Sequence, residues 1–193
     1  DLNGDPFAPY WCPGESDFTL RWNNSFLGGW FWTAGQDSMI FSIDELMTKY
    51  ITSVGRNTNM LLGVVIDDRG LIPDADVKQI ELFGNAIKAQ YGTPFRQISG
   101  QGTEYVIRLE QPAEIDRVVI QEDIALGERV LAYSVSGKKG NEWIELSSGT
   151  NIGHKHIDTF PPQSVSEIKL LVKEAKAEPR IRNFAIFKRN ESI

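Results

Sequence analysis

The feature that most constrains this chain is a change of hydrophobic period at Gly92. Before it, apolar residues recur at helical spacing around one continuous apolar run; after it, they alternate. Ser42-Ile43-Asp44-Glu45 is a capping box, in which the Ser hydroxyl and the Glu carboxylate can satisfy each other's backbone N–H groups. Ile43, Leu46, Met47, Tyr50, Ile51 and Val54 follow at three- and four-residue steps, with Gly55 as a stop. A helix with one buried face is expected there. "MLLGVVI" (Met60–Ile66) reads as a strand buried on both faces. Val77, Ile80, Phe83, Ile87 and Tyr91 mark a second helix ending at Gly92. Helix, buried strand, helix is the order of an α/β layer.

Beyond Gly92, "TEYVIRL", "IDRVVIQED", "RVLAYSVSG", "EWIELSS", "KHIDTF", "SEIKLLVK" and "IRNFAIFK" are short alternating segments between polar or Gly/Pro turns. Such a series predicts an antiparallel β-sandwich of jelly-roll type. The expected fold class is therefore α/β plus all-β, with a boundary near "YGTPF": residues 1–92 as one domain and 93–193 as the other. An α/β piece with a single buried strand cannot close a core alone. It is expected to belong to a larger sheet, or to be the C-terminal part of a (β/α) barrel, whose other strands lie upstream. In such a barrel the loops at strand C-termini carry the site. The opening "DLNGDPFAPYW" leads straight into an aromatic cluster, which suits a piece of a longer protein.

A net charge of −6 without a clustered basic face argues against nucleic acid as a partner. No apolar run reaches the ~18–20 residues that span a bilayer, so membrane insertion by a helix is not expected. Cys12 is the only cysteine, which excludes an internal disulfide and a Cys-based metal site.

The chemistry-bearing residues gather near the N-terminus. In "YWCPGESD", Glu15 follows a Pro-Gly turn and lies four residues from Trp11. A carboxyl beside apolar rings is either an acid held protonated in a dry pocket or a solvated loop charge. Asp17, shorter and two residues on, suits a hydrogen bond to loop backbone or to a ligand. Trp30 and Trp32 flank Phe31 in "GGWFWT"; in an extended segment both indoles would face one side, as a binding platform or as core. Trp22 reads as a lid or packing residue, and Arg21 as an ion-pair partner or a hydroxyl ligand. His154 and His156 stand at HxH spacing, but no third ligand accompanies them and surface histidines are expected. Glu122 and Asp123 could meet calcium in a sandwich loop. Cys12 has no nearby His to activate it and reads as a small buried residue.

"PGESDFTLR…GGWFW…SIDELMTKYITSVGRNTNMLLGVVIDDRGLIPDADV" resembles the end of the catalytic barrel of family 29 glycoside hydrolases, the α-L-fucosidases. "EDIALGERVLAYSV", "EWIEL" and "GTNIGHKHIDTF" resemble the galactose-binding-like β-sandwich that follows that barrel. The chain departs from the pattern in the extra "WNNSFLG" after Arg21 and in Thr33, where the clade often has His. The resemblance implies retaining hydrolysis of terminal α-L-fucosyl linkages, with no metal or organic cofactor. By its motif position Glu15 would be the acid/base, and Trp11, Asp17, Trp30 and Trp32 would contact substrate. The family's aspartate nucleophile lies upstream, so this chain alone is expected to be inactive. Fucosylated oligosaccharides and the upstream part of the same barrel are the implied partners, and a periplasmic or secreted location goes with them. The rival readings are a carbohydrate-binding sandwich, with Trp143, Tyr133 or Phe160 as its platform, and a purely structural sandwich.

Overall fold

The computed structural model describes residues 14–22 and 28–188. Trp11 and Cys12 lie outside the described residues. The described chain forms two compact units: one holds Thr58–Gly92 and the part of Pro13–Ser53 that is described, the other Val54–Asn57 and residues 93–188. The second unit thus takes a four-residue segment from the middle of the α/β sequence.

The first unit runs β1 (Gly14–Thr19), α1 (Ile43–Ser53), β2 (Thr58–Gly63), α2 (Asp74–Tyr91). β1 and β2 pair in parallel, Glu15 opposite Asn59 and Thr19 opposite Gly63. The capping box forms: Ser42 N–H donates to Glu45 at 2.8 Å and Glu45 N–H to the Ser42 hydroxyl at 3.3 Å. α1 buries Leu46, Met47 and Tyr50. The Tyr50 ring meets Phe83 of α2 edge-on, with centroids 6.4 Å apart.

Two expectations need correction here. The Gly14–Thr19 stretch, read as a turn and loop, is a strand, because pairing with β2 supplies its backbone partners. The run Met60–Ile66 is not a strand buried on both faces. The strand ends at Gly63, Leu61 is 51% exposed and Ile66 63% exposed. Along β2, Asn59 and Leu61 of one face are exposed and Met60 and Leu62 of the other are half-buried, so among the described residues only one face is covered.

The second unit is one antiparallel six-stranded hydrogen-bonded array, β3 (Arg96–Gln101), β4 (Glu104–Glu122), β5 (Val130–Lys139), β6 (Glu142–Gly149), β7 (His156–Ala175) and β8 (Arg180–Lys188). Its order is β3-β8-β4-β7-β5-β6. The seven alternating segments resolve into five of these strands. "TEYVIRL" and "IDRVVIQED" are the two halves of β4, and "KHIDTF" and "SEIKLLVK" the two halves of β7. The prolines that suggested turns, Pro112, Pro161 and Pro162, lie within these long strands, and two β4–β7 register breaks fall there, Arg108/Ala113 and Ile115/Arg117. Proline is tolerated in a sheet at such irregularities because a missing N–H costs nothing where the ladder is already broken. Ile107 and Ile115, on either side of the first break, belong to one core with Tyr133, Ile168, Phe184 and Ile186. Nineteen- and twenty-residue strands therefore bend around a common interior, giving a β-sandwich. β3 carries little apolar signal, and its "RQISGQ" sequence did not announce a strand.

Candidate functional site

The clearest constructed feature of the first unit is the loop between β1 and α1. Its two ends are clasped: Trp22 N–H donates to the Met39 carbonyl at 2.9 Å, and Phe41 N–H to the Leu20 carbonyl at 3.0 Å. Inside the clasp sits Arg21, 3% exposed, against Asp76 of α2, which is fully buried. The guanidinium Nε donates to both Asp76 oxygens (2.9 and 3.2 Å) and Nη2 also bonds Asp76. Nη2 reaches Asp37 at 3.0 Å and Nη1 the Gln36 carbonyl at 2.9 Å. Burial alone would lower the Arg21 pKa, but the hydrogen bonds to Asp76 and Asp37 outweigh it and hold the group above its ordinary value. Of the two roles foreseen for Arg21, the structure selects the ion pair.

Thr19 ties the middle of the loop to the same point: its hydroxyl donates to the Arg21 carbonyl and, at 3.1 Å, to the Gly28 carbonyl. Gly29 has φ +83°, and a Cβ there would stand 2.0 Å from the Arg21 carbonyl oxygen, so only glycine fits. The next residue is Trp30. Its six-membered ring lies so close over Gly63 that a Cβ at that position would be 2.5 Å away. Trp30 is nevertheless 47% exposed, Phe31 64% and Trp22 42%. Three large aromatic side chains thus reach solvent from one braced loop at the C-terminal end of the β1–β2 pair. Apolar rings of this kind can stack on the C–H faces of sugars. Trp30 and Trp32 follow the Gly28–Gly29 turn through a bend rather than an extended segment, and Trp32 is the more covered of the two.

Glu15 and Asp17 share one face of β1, two residues apart, and both are exposed. Glu15 is exposed among the described residues, and Trp11, the aromatic that its pocket reading invoked, lies outside them. It sits at the N-terminal end of β1, four residues before Thr19, or about 13 Å at ~3.3 Å per residue. Trp30 lies at the other end. The structure therefore brings Glu15 next to Asp17, and separates both from the aromatic loop. In a (β/α) barrel the site opens at the C-terminal ends of strands.

The second unit holds a buried polar cluster that sequence reasoning missed. Asp158 accepts from the Tyr133 hydroxyl at 2.8 Å and the Ser147 hydroxyl at 2.9 Å, and lies 3.2 Å from His156 Nε2 and 3.4 Å from Arg56. His156, expected at the surface, is 6% exposed, whereas His154 is exposed as foreseen. Burial alone would raise the Asp158 pKa, but His156, Tyr133 and Ser147 outweigh it and hold it below the ordinary aspartate value. Burial, and then the neighbouring Asp158 charge, pushes the Tyr133 hydroxyl up. Ser, His and Asp stand together here without forming a catalytic relay. The Ser147 hydroxyl donates directly to Asp158, and His156 Nε2 faces Arg56 and Asp158, so the imidazole is not placed to take the serine proton. Tyr133, a candidate platform of the binding-module reading, is fully buried, because β-strand packing turns it inward onto Asp158.

Glu122 is also buried, and it accepts from three backbone N–H groups, those of Arg129, Val130 and Gly153, at 2.8–3.1 Å. Burial pushes its pKa up despite those bonds. Its oxygens are taken by the backbone N–H groups of the sandwich loops, so Glu122 has no free oxygen for the calcium considered as one use of Glu122 and Asp123. Among the described residues no group of three or more His, Cys, Asp or Glu could hold a metal. Trp143, the aromatic of the binding-module reading, is 40% exposed with the Lys169 ammonium 4.5 Å from its ring centroid.

No family model matches the chain. The crystal structure of a protein named "putative alpha-L-fucosidase" from Bacteroides thetaiotaomicron VPI-5482 superposes with a TM-score of 0.93 at 34% identity, over 97% of this chain and 42% of that one. A glycoside hydrolase 29 family member from an unknown rumen bacterium superposes with a TM-score of 0.83 at 27% identity, over 95% of this chain and 34% of that one. Alpha-L-fucosidase 1 of Arabidopsis thaliana is 26% identical over 221 residues, 95% of this chain and 42% of its own length. The chain spans about 42% of the length of the curated relatives it matches. In sequence and in fold, this chain is related to the α-L-fucosidases of glycoside hydrolase family 29 and corresponds to part of their length.

Proposed function

We propose that this chain is the C-terminal portion of a retaining α-L-fucosidase, contributing the last β–α–β–α part of a (β/α) barrel and the sandwich that follows. The observation that carries the reading is the match over 97% of the chain, at 34% identity, to a structure bearing that enzyme name. The substrates are fucosylated oligosaccharides or glycoconjugates, and such glycans place the enzyme in the periplasm or outside the cell. Retention needs two carboxyl groups about 5–5.5 Å apart, one attacking the anomeric carbon and one protonating the leaving oxygen. The nucleophile belongs to the upstream barrel, and this chain supplies sugar contacts through Trp30 and its loop.

Hydrolysis of an aryl α-L-fucoside by the full-length protein, with NMR showing α-fucose as the first product, is the expected result. A full-length protein inert on α-L-fucosides but active on another glycoside would overturn the reading. The 193 residues alone should be inactive. Glu15 enters as acid/base through its motif alone, and Glu15→Gln decides it. An acid/base role requires a much larger loss on poor leaving groups than on activated aryl fucosides, with partial rescue by azide. Equal, small effects on both substrates would assign Glu15 to the strand and not to the chemistry.

A further inference from the structure

The Arg21 cluster does more than an isolated ion pair needs. One buried guanidinium gathers α2 through Asp76, the far end of the aromatic loop through Asp37 and the Gln36 carbonyl, and, through its own carbonyl and Thr19, the Gly28–Gly29 turn. α2 adds a second hold, since Gln79 Nε2 donates to the Phe41 carbonyl at 2.7 Å. The residue that these ties converge on is Trp30, which stands directly after Gly29 with its ring against Gly63. An exposed aromatic loop left unbraced would lose rotational freedom on meeting a sugar, and that loss weakens binding. A planar, forked cation is the side chain that can bond three separate partners at once in fixed directions.

We propose that Arg21 is a positioning residue: by joining Asp76, Asp37 and Gln36 it holds residues 28–37 so that Trp30 is presented, already in place, to the sugar. This rests on the reading that the loop contacts substrate. Arg21 itself is buried and touches no ligand; it acts through Trp30.

The test uses the full-length protein with an aryl fucoside. Arg21→Lys keeps the charge but loses the fork, and should lower kcat/KM by on the order of 10–100-fold, carried by KM with kcat nearly unchanged. Asp37→Asn serves as the milder variant, because the Asp37 side chain is 65% exposed and its loss leaves the Asp76 pair intact. It should shift KM in the same direction by less. Trp30→Ala should raise KM, and adding Arg21→Lys to it should cause little further loss, since both act on one contact. If Trp30→Ala leaves KM unchanged, the sugar-contact reading of the loop fails and the positioning role fails with it. If Trp30→Ala raises KM while Arg21→Lys does not, or if the two effects simply add, the positioning role alone is overturned. Independently of activity, the Trp30 indole N–H resonance should move in Asp37→Asn; a resonance that stays in place would also overturn it.

Discussion

The two units manage buried charge and apolar surface in opposite ways. The sandwich encloses its large side chains: Tyr133, Phe184, Ile120 and Ile168 are all fully buried, and β4, β7 and β8 cover one another in the ladder. The α/β unit leaves Trp22, Trp30, Phe31, Leu61, Ile66, Leu71, Ile72, Val77 and Leu82 exposed and has two strands in its sheet. Yet its Arg21–Asp76 pair is as deeply buried as anything in the sandwich. The difference teaches that the α/β unit concentrates its order in the loop base and the helix pair, and the sandwich distributes its order through a continuous core.

The largest expected contrast comes from apolar truncation. Phe184→Ala in the sandwich core should cost about 3–5 kcal/mol, as transfer and cavity terms add, whereas Leu61→Ala on β2 should cost less than about 1 kcal/mol. Urea denaturation of both variants checks this, and similar losses would erase the distinction between the units. Next in size is Asp76→Asn. Breaking one side of a buried pair strands the Arg21 charge and should cost about 3–5 kcal/mol; a loss below ~1 kcal/mol would show that water already reaches the pair.

Tyr133→Phe removes one donor to the buried Asp158 carboxylate and should cost about 1.5–3 kcal/mol, the range for hydrogen bonds to charged groups. The thermal midpoint at neutral pH is the measurement, and an unchanged midpoint would mean that His156, Ser147 and Arg56 suffice. Asn57→Ala should cost about 1–2 kcal/mol: Asn57 has φ +66°, accepts from His154 N–H at 2.7 Å and donates to Glu128 at 2.9 Å. Asn57→Gly should recover part of that loss by relieving the backbone, and no difference between Ala and Gly would assign the whole effect to the side-chain bonds.

The smallest effects are those of pH, and the two buried sandwich carboxylates oppose each other. The Asp158 pKa is depressed on folding. Its contribution is therefore present above the unfolded aspartate value of about 3.9 and is lost as pH falls through the folded value. The Glu122 pKa is raised. Its contribution is fully present below the unfolded glutamate value of about 4.3 and declines as pH rises through the folded value. Carboxyl carbon NMR titration should show Asp158 ionising at lower pH than a free aspartate and Glu122 at higher pH than a free glutamate. The reverse order would refute the assigned causes.

Local pattern was enough to determine both helices, the α1 capping box and the passage to strands after Gly92, because capping and amphipathic period act over one or two turns of chain. Most sandwich strands were legible for the same reason: alternation is a property of consecutive residues. What joined "TEYVIRL" to "IDRVVIQED" across Pro112 was β7, which pairs with Arg108 through Glu167 and with Ala113 through Val165, a partner no local reading contains. Of the site, Trp30 was visible as an aromatic in a glycine-flanked motif, but its seat over Gly63 and its bracing by Arg21 depend on residues up to 55 positions apart. Glu15 shows the converse. Its motif suggested a turn residue, and the parallel pairing of β1 with β2 set it at the N-terminal end of a strand opposite Asn59. Burial, and the electrostatics that follow from it, depend on which distant segments cover a side chain, so that part was decided by tertiary structure alone.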